Sequence, residues 1–196
     1  MNKNSSKNIA TEVINLEIEA LKILKKSINK SFDKAVNTIV NCQSKIILCG
    51  VGKSGLIAAK IASTLSSVGS PAFSLSANDC LHGDLGSITK KDILILISNS
   101  GKSEEIIPII KFANRNKIKL IGIVSKKNSF LYKGSDIKIL LPEVKESGLG
   151  VVPTSSTSIQ LAIGDALAVA ALKKKQFSKY DFSRLHPGGN LGKQLK

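Results

Sequence analysis

Lys45-Ile46-Ile47-Leu48-Cys49-Gly50-Val51-Gly52-Lys53-Ser54-Gly55 is the stretch that decides the fold. Its first five residues form a short apolar run of strand length. Its glycines make a turn, and from Ser54 to Ser67 apolar residues return at helical spacing. A strand that passes through a glycine turn into a helix is the first half of a βαβ unit. The same grammar recurs downstream, with short β-branched runs at Ala72–Ser76, Ile93–Ser98, Lys119–Val124 and Ile137–Leu141. Between them lie helix candidates Ser54–Ser67 and Ser103–Asn114, and a short third connection near Phe130. Runs apolar at nearly every position suit strands buried on both faces of a parallel sheet. The alternation predicts an α/β fold, a three-layer αβα sandwich around a five-stranded parallel sheet with right-handed crossovers.

Outward from this unit, Ile9–Val40 carries apolar residues at helical spacing and reads as one long helix or two consecutive ones. After the fifth strand, Pro142–Pro153 is irregular. A strong helix, Ser155–Lys174, follows, and a polar tail, Gln176–Lys196, closes the chain. The 196 residues, 42% of them hydrophobic, suffice for one self-sufficient core, and no linker marks off a second domain; residues 1–196 are expected to form one domain.

The charge balance, 29 basic against 14 acidic residues, is +15 and invites a nucleic-acid reading. Composition argues against it. Only Arg115 and Arg184 are arginines and aromatic residues are 4%, whereas base readout favours the Arg fork and single strands favour aromatic platforms. The densest run, Lys173-Lys174-Lys175, ends a helical pattern, where cations suit the helix dipole. No nucleic-acid partner is expected. A membrane-spanning helix needs about 20 apolar residues; the best stretch, Ile159–Leu172, includes Gln160 and Asp165, and Met1–Lys30 lacks the apolar core of a signal peptide. The expectation is a cytoplasmic protein without a membrane partner. Cys42, Cys49 and Cys80, odd in number and in no CxxC pair, are expected as reduced thiols.

In open parallel sheets ligands sit beyond the carboxyl ends of the strands, so the residues after each strand carry the chemistry. Gly50-Val51-Gly52-Lys53-Ser54-Gly55 fits the letters GxGxxG, but the nucleoside-triphosphate loop needs a glycine where Ile47 stands. What remains is a glycine turn at a helix start, with Lys53 aimed at the same space, suited to a phosphate or oxyanion. Ser98-Asn99-Ser100-Gly101-Lys102-Ser103 offers three hydroxyls ahead of a helix; N-capping by Ser103, with Glu104 and Glu105 in the first turn, explains one serine and not three. Pro153-Thr154-Ser155-Ser156-Thr157 is a second hydroxyl cluster at a helix start. Together these turns indicate a small phosphorylated ligand. His82, in Asp79-Cys80-Leu81-His82-Gly83-Asp84-Leu85-Gly86, and His186, in His186-Pro187-Gly188-Gly189, adjoin glycine turns that let backbone approach a ligand. With two histidines and no paired-ligand spacing, a catalytic metal is not expected. The chemistry left to the chain is proton transfer by Glu, His and Lys.

Taken in order, Gly50–Gly55, His82–Gly86, Ser98–Gly101, Pro153–Thr157, Gly164-Asp165-Ala166-Leu167-Ala168 and His186–Gly192 resemble the sugar isomerase (SIS) domain family in its arabinose-5-phosphate isomerase branch, over about Ile9 to Lys196. The resemblance implies a cofactor-free aldose-ketose isomerase interconverting D-ribulose 5-phosphate and D-arabinose 5-phosphate, the first step toward the lipopolysaccharide sugar Kdo. It also implies a homotetramer with sites at subunit interfaces. It places the functional lysine, histidines and glutamate at Lys53, His82, His186 and Glu105. Gly52, Ser54, Ser98, Asn99, Ser100, Ser103 and Thr154, Ser155, Ser156 and Thr157 would bind the substrate and its phosphate.

A cis-enediol route needs a carbon base, a shuttle between oxygens and a donor for the enediolate. Glu105 or His186 suits the first, His82 the second and Lys53 the third. Glu105 would need burial to raise its pKa, and His186 lies so late in the chain that a neighbouring subunit's site is within its expected reach.

Three departures stand out. The chain ends without the pair of cystathionine-β-synthase-type domains that many relatives carry, Lys102 takes a position commonly acidic, and Val144–Pro153 is one residue short. The competing readings are a phosphosugar sensor without catalysis, a dinucleotide-binding module, and an isomerase of a heptulose or hexulose phosphate.

Overall fold

The computed structural model describes residues 5–188. The Gly189–Gly192 part of the tail motif therefore lies outside the described residues. Two helices open the chain, α1 (Ser6–Ser27) and α2 (Lys30–Val40), so the Ile9–Val40 pattern resolves into two. The break falls at Asn29, whose side-chain oxygen accepts from the Ser31 amide and starts α2.

There follow β1 (Ile46–Gly50), α3 (Lys53–Ser67), β2 (Ala72–Ser76), a one-turn α4 (Ala77–Cys80), a 3-10 turn (Asp84–Ser87) and β3 (Ile93–Ser98). Next come α5 (Ile106–Arg115), β4 (Lys119–Val124), α6 (Phe130–Gly134), β5 (Ile137–Leu140), a single turn α7 (Gly148–Val151), α8 (Ser155–Lys174) and α9 (Lys179–Leu185).

The five strands are parallel in the order β2-β1-β3-β4-β5. Every residue of β1 and β3 is buried. Alternation by two divides them between two cores. Ile46, Leu48, Ile93, Ile95 and Ile97 face α1, α2, α3 and α8, while Ile47, Cys49, Leu94 and Leu96 face α5 and α6. This is the three-layer αβα sandwich expected.

Helix α5 presents Ile106, Ile109, Ile110 and Ala113 at i, i+3, i+4 and i+7 to its core. Helix α8 is buried along much of its length, and Gly164 lets it cross α3 closely, since a Cβ there would overlap Ile61. By length and composition α8 is the one described helix apolar enough to cross a membrane. Half of its apolar window is buried in the fold, and Asp165 pairs with Lys60 of α3.

Two expectations need correction. Helix α5 begins at Ile106, three residues after Ser103: the Ile106 and Ile107 amides donate to the Ser103 and Glu104 carbonyls in three-residue turns, and the first turn has no side-chain cap. The polar tail contains α9, nucleated by a capping box in which Ser178 and Asp181 satisfy one another's amides.

The amino edge of the sheet is closed by a buried acid. Asp92, 1% exposed, accepts from Lys45 Nζ at 2.9 Å and from the Thr89 amide and hydroxyl. Burial works to raise its pKa, but hydrogen bonds from Ser44, Thr89 and Lys45 prevail and hold it at about 2. A depressed carboxyl pKa stabilises the fold above the unfolded value and loses that contribution as pH falls through the folded one. From 3.8 down to about 2 this amounts to about 2 kcal/mol. Urea unfolding between pH 5 and pH 2 should show wild type losing about that much more stability than Asp92→Asn.

Candidate active site

The strand order reverses between β1 and β3, the place where doubly wound sheets leave a crevice at their carboxyl edge. Gly50 is level with Ile97, so the Gly50–Lys53 turn and the Ser98–Gly101 turn flank that crevice from neighbouring strands. His82 follows β2 and α4, on the other side of β1. The N-termini of α3 and α5 point to this edge, and α8 joins them through Ser54, whose hydroxyl donates to Gln160 Oε1 at 3.1 Å. Helix N-termini concentrate partial positive charge, and Lys53 adds a full charge, so the edge is built for anions.

Lys53 is the first residue of α3, one earlier than the sequence pattern placed the helix start, and is exposed. Gly52 before it has φ 57°, the left-handed region that makes the turn possible. Gly50 and Gly55 serve a different need: a Cβ on either would lie 2.8 Å from backbone atoms of the other side of the turn. Strand and helix therefore meet at a distance that fixes where Lys53 stands.

In the second turn the hydroxyls are organised locally. Buried Ser98 Oγ accepts from the Gly101 amide at 3.0 Å, and exposed Ser100 Oγ accepts from the Lys102 amide at 3.3 Å. Asn99 is clamped to the end of β4, its Oδ1 accepting from Ser125 Oγ at 2.7 Å and its carbonyl from the Ser125 amide at 3.2 Å. Ser103 is half-buried, as is Glu105, and His82 is exposed.

The second hydroxyl cluster, Thr154–Thr157, is arranged differently from an open phosphate cradle. Glu146 Oε2 accepts from the Thr154 amide (2.9 Å), the Thr154 hydroxyl (3.2 Å) and the Ser156 amide (3.3 Å), so a carboxylate of the chain itself caps α8. Burial acts to raise the Glu146 pKa, yet the bonds from Ser156 and Thr154 overcome it and hold the group below the usual carboxylate range. Thr157 Oγ1 turns back to the Thr154 carbonyl at 2.8 Å. Ser155 Oγ is the uncommitted donor here, fully buried and without a partner.

The contacts of His186 are with its own helix and not with the residues of this crevice. Helix α8 runs from the carboxyl edge to the amino edge, where Lys175 Nζ donates to the Gly69 carbonyl and Ser70 Oγ ahead of β2. The seven-residue α9 follows from there. Its Phe182 packs on the core, and His186 stacks on the Phe182 ring at 3.9 Å between centroids. His186 Nδ1 meets the Phe182 carbonyl at 2.8 Å. A carbonyl only accepts, so Nδ1 carries the proton and Nε2 of the neutral ring is left as an acceptor.

Two residues of the site escaped the sequence reading, Gln160 and Glu146. Gln160, 1% exposed, stands out in retrospect as an amide among the core-facing positions of α8. Glu146 gave no signal, because its role depends on the path of an irregular loop. Among the described residues no three His, Cys, Asp or Glu side chains gather as metal ligands.

The profile of the SIS domain family matches residues 39–170. The chain is 44% identical over 185 residues to arabinose 5-phosphate isomerase KdsD of Yersinia pestis, with 94% of this chain covered and 56% of that one. It is 45% identical over 192 residues to the KdsD of Francisella tularensis, covering 96% and 59%. It thus spans less than two thirds of the length of these curated relatives. A solved structure of an E. coli CFT073 protein in complex with arabinose 5-phosphate superposes with a TM-score of 0.90 at 34% identity, over 95% of this chain and all of that one.

Proposed function

The chain belongs to the SIS domain family, and from that premise we propose that it interconverts D-ribulose 5-phosphate and D-arabinose 5-phosphate through a cis-enediol. The supporting observation is the β1/β3 crevice, where a glycine-lysine turn and a serine turn meet on adjacent strands in a chain that superposes along its length on a protein holding arabinose 5-phosphate.

The phosphate rests against Ser98, Asn99, Ser100 and Ser103 at the start of α5, with Ser155 of the Thr154–Thr157 cluster as a further hydroxyl donor. At α8 a phosphate shares or takes the amides that Glu146 holds. Gly52 and Ser54 frame the sugar beside Lys53, whose ammonium stabilises the oxyanion as C1 and C2 exchange a proton. His82, exposed and followed directly by Gly83, moves the proton between the two oxygens or opens the ring.

Of the two candidates for the carbon base, the geometry favours His186 over Glu105. Its Nδ1–H is committed to the Phe182 carbonyl, which leaves Nε2 to take a proton from carbon. Because α9 starts at the amino edge, this His186 acts in the site of a neighbouring copy. That requires a homo-oligomer, which we propose to be a tetramer working in the cytoplasm and supplying Kdo synthesis. Exposed Ile14, Ile18 and Leu21 on one side of α1 give such an assembly an apolar face to cover.

Incubation with D-ribulose 5-phosphate in deuterated water, without added metal or nucleotide and followed by NMR, should yield arabinose 5-phosphate with deuterium at C2. Binding of ribulose 5-phosphate without turnover would instead make the chain a phosphosugar sensor. Neither binding nor turnover would overturn the substrate assignment.

A further inference from the structure

A cavity of about 530 Å³ adjoins the crevice, between the loops that follow β3, β4 and β5, with Ser100 on the border of the two. Its polar wall carries Lys102, Lys126 and Lys127. Lys126 is neutralised by Glu143 at 2.7 Å, whereas Lys102 and Lys127 have no ion-pair partner among the described residues. The lining also has an apolar part, Leu140, Leu141 and Pro142 at the end of β5. Behind the lysines sits Ser125, 6% exposed, whose hydroxyl and amide both bind Asn99.

We propose that this cavity is a second anion site, distinct from the sugar-phosphate site, and that it takes a small organic molecule bearing two acidic groups. Two uncompensated ammonium groups set the charge of the ligand, and a concave wall focuses their field in a way that lysines on a convex surface do not. The apolar part calls for a carbon skeleton. The volume falls in the range of small-molecule sites.

The site is joined to the crevice by construction. Lys102 belongs to the same loop as Ser98 and Ser100, and the paired bonds from Ser125 to Asn99 make the β3 and β4 loops one unit. Two anions on either face of that loop repel one another across a short distance. Occupancy of the cavity therefore weakens sugar-phosphate binding and leaves the chemical step alone, and the sugar phosphate weakens the second ligand by the same factor. The kinetic signature is a KM that rises to a plateau at unchanged kcat, because both ligands are bound together. A ligand in the substrate site itself would raise KM without limit.

Inorganic pyrophosphate is a suitable probe, titrated calorimetrically into the whole chain with and without saturating D-arabinose 5-phosphate. The expected result is binding that the double variant Lys102→Glu/Lys127→Glu weakens by about tenfold or more. Lys90→Glu, at the amino edge of the sheet, should change it by less than about twofold. Saturating arabinose 5-phosphate should weaken the probe by a few-fold without abolishing it.

Absence of binding, equal weakening by Lys90→Glu, or complete exclusion by arabinose 5-phosphate would each overturn the proposal. The kinetic arm rests on the isomerase reading and the comparison of variants does not. If arabinose 5-phosphate fails to bind, that reading falls while the charge-reversal titration still decides whether the site exists.

Discussion

Refolding Lys53→Met together with His186→Asn should restore the proposed isomerase activity, which each variant alone should largely lack. Each substitution removes one role from the site and should lower kcat by about 10²- to 10³-fold, the scale of a lost oxyanion donor or proton-transfer group. The rescue follows from the direction of α8. Because that helix delivers the chain to Gly69 and Ser70 at the amino edge before α9 begins, the proposed site takes the His186 that serves a given Lys53 from a second copy. In a mixed pair, one site joins the intact lysine of one chain to the intact histidine of the other, and its twin has neither. Random mixing of equal amounts then recovers about a quarter of wild-type activity. If both residues served the site of their own chain, the mixture would stay at the sum of the two variants, and that result would refute the shared site.

Gly50→Ala should be the most damaging single methyl group that can be added near the site. The new Cβ would lie 2.8 Å from the carbonyl carbon and oxygen of Ser54, which are backbone atoms of a helix packed on β1 and cannot swing aside. Relief requires α3 to shift on the sheet. Overpacking of this kind costs about 3 kcal/mol, or a Tm lower by about 6–12 °C for a chain of this size. Activity should fall with it, since Lys53 is the first residue of the displaced helix. Gly86→Ala is the matched control: nothing lies within 4 Å of its Cβ position, so stability there should change little. A Gly50→Ala protein as stable as the control would show that the close approach of strand and helix is not what fixes the turn.

The sheet was legible because its signal is local and redundant. Ala72–Ser76, Ile93–Ser98 and Lys119–Val124 read as strands from composition alone and are strands to the residue. The long helix at Ser155–Lys174 was equally plain. Helix α5 was misjudged at its start because Ser103-Glu104-Glu105 has the chemistry of an N-cap while its backbone makes successive three-residue turns first. Helix α9 was missed because seven residues give too little periodicity, although Ser178 and Asp181 stood at capping-box spacing.

At the site, residues that follow directly on strands could be read from sequence, since topology alone carries them to the edge. Glu146 and Gln160 could not. Their parts depend on pairings across 8 and 106 residues of chain, to Thr154 and to Ser54, and a single sequence holds no record of such pairings.

Helix α1 buries only Ala20 and Leu24 of its 22 residues. A segment with so little fully buried surface opens far below the cost of global unfolding, so in an isolated chain it should exchange its amides and admit a protease early. In the proposed oligomer, contact with another copy would add burial that the chain's own core does not supply and would tie the protection of this helix to protein concentration. Local order at the N-terminus and assembly would then be one equilibrium, with dilution loosening the helix while the parallel sheet behind it stays closed.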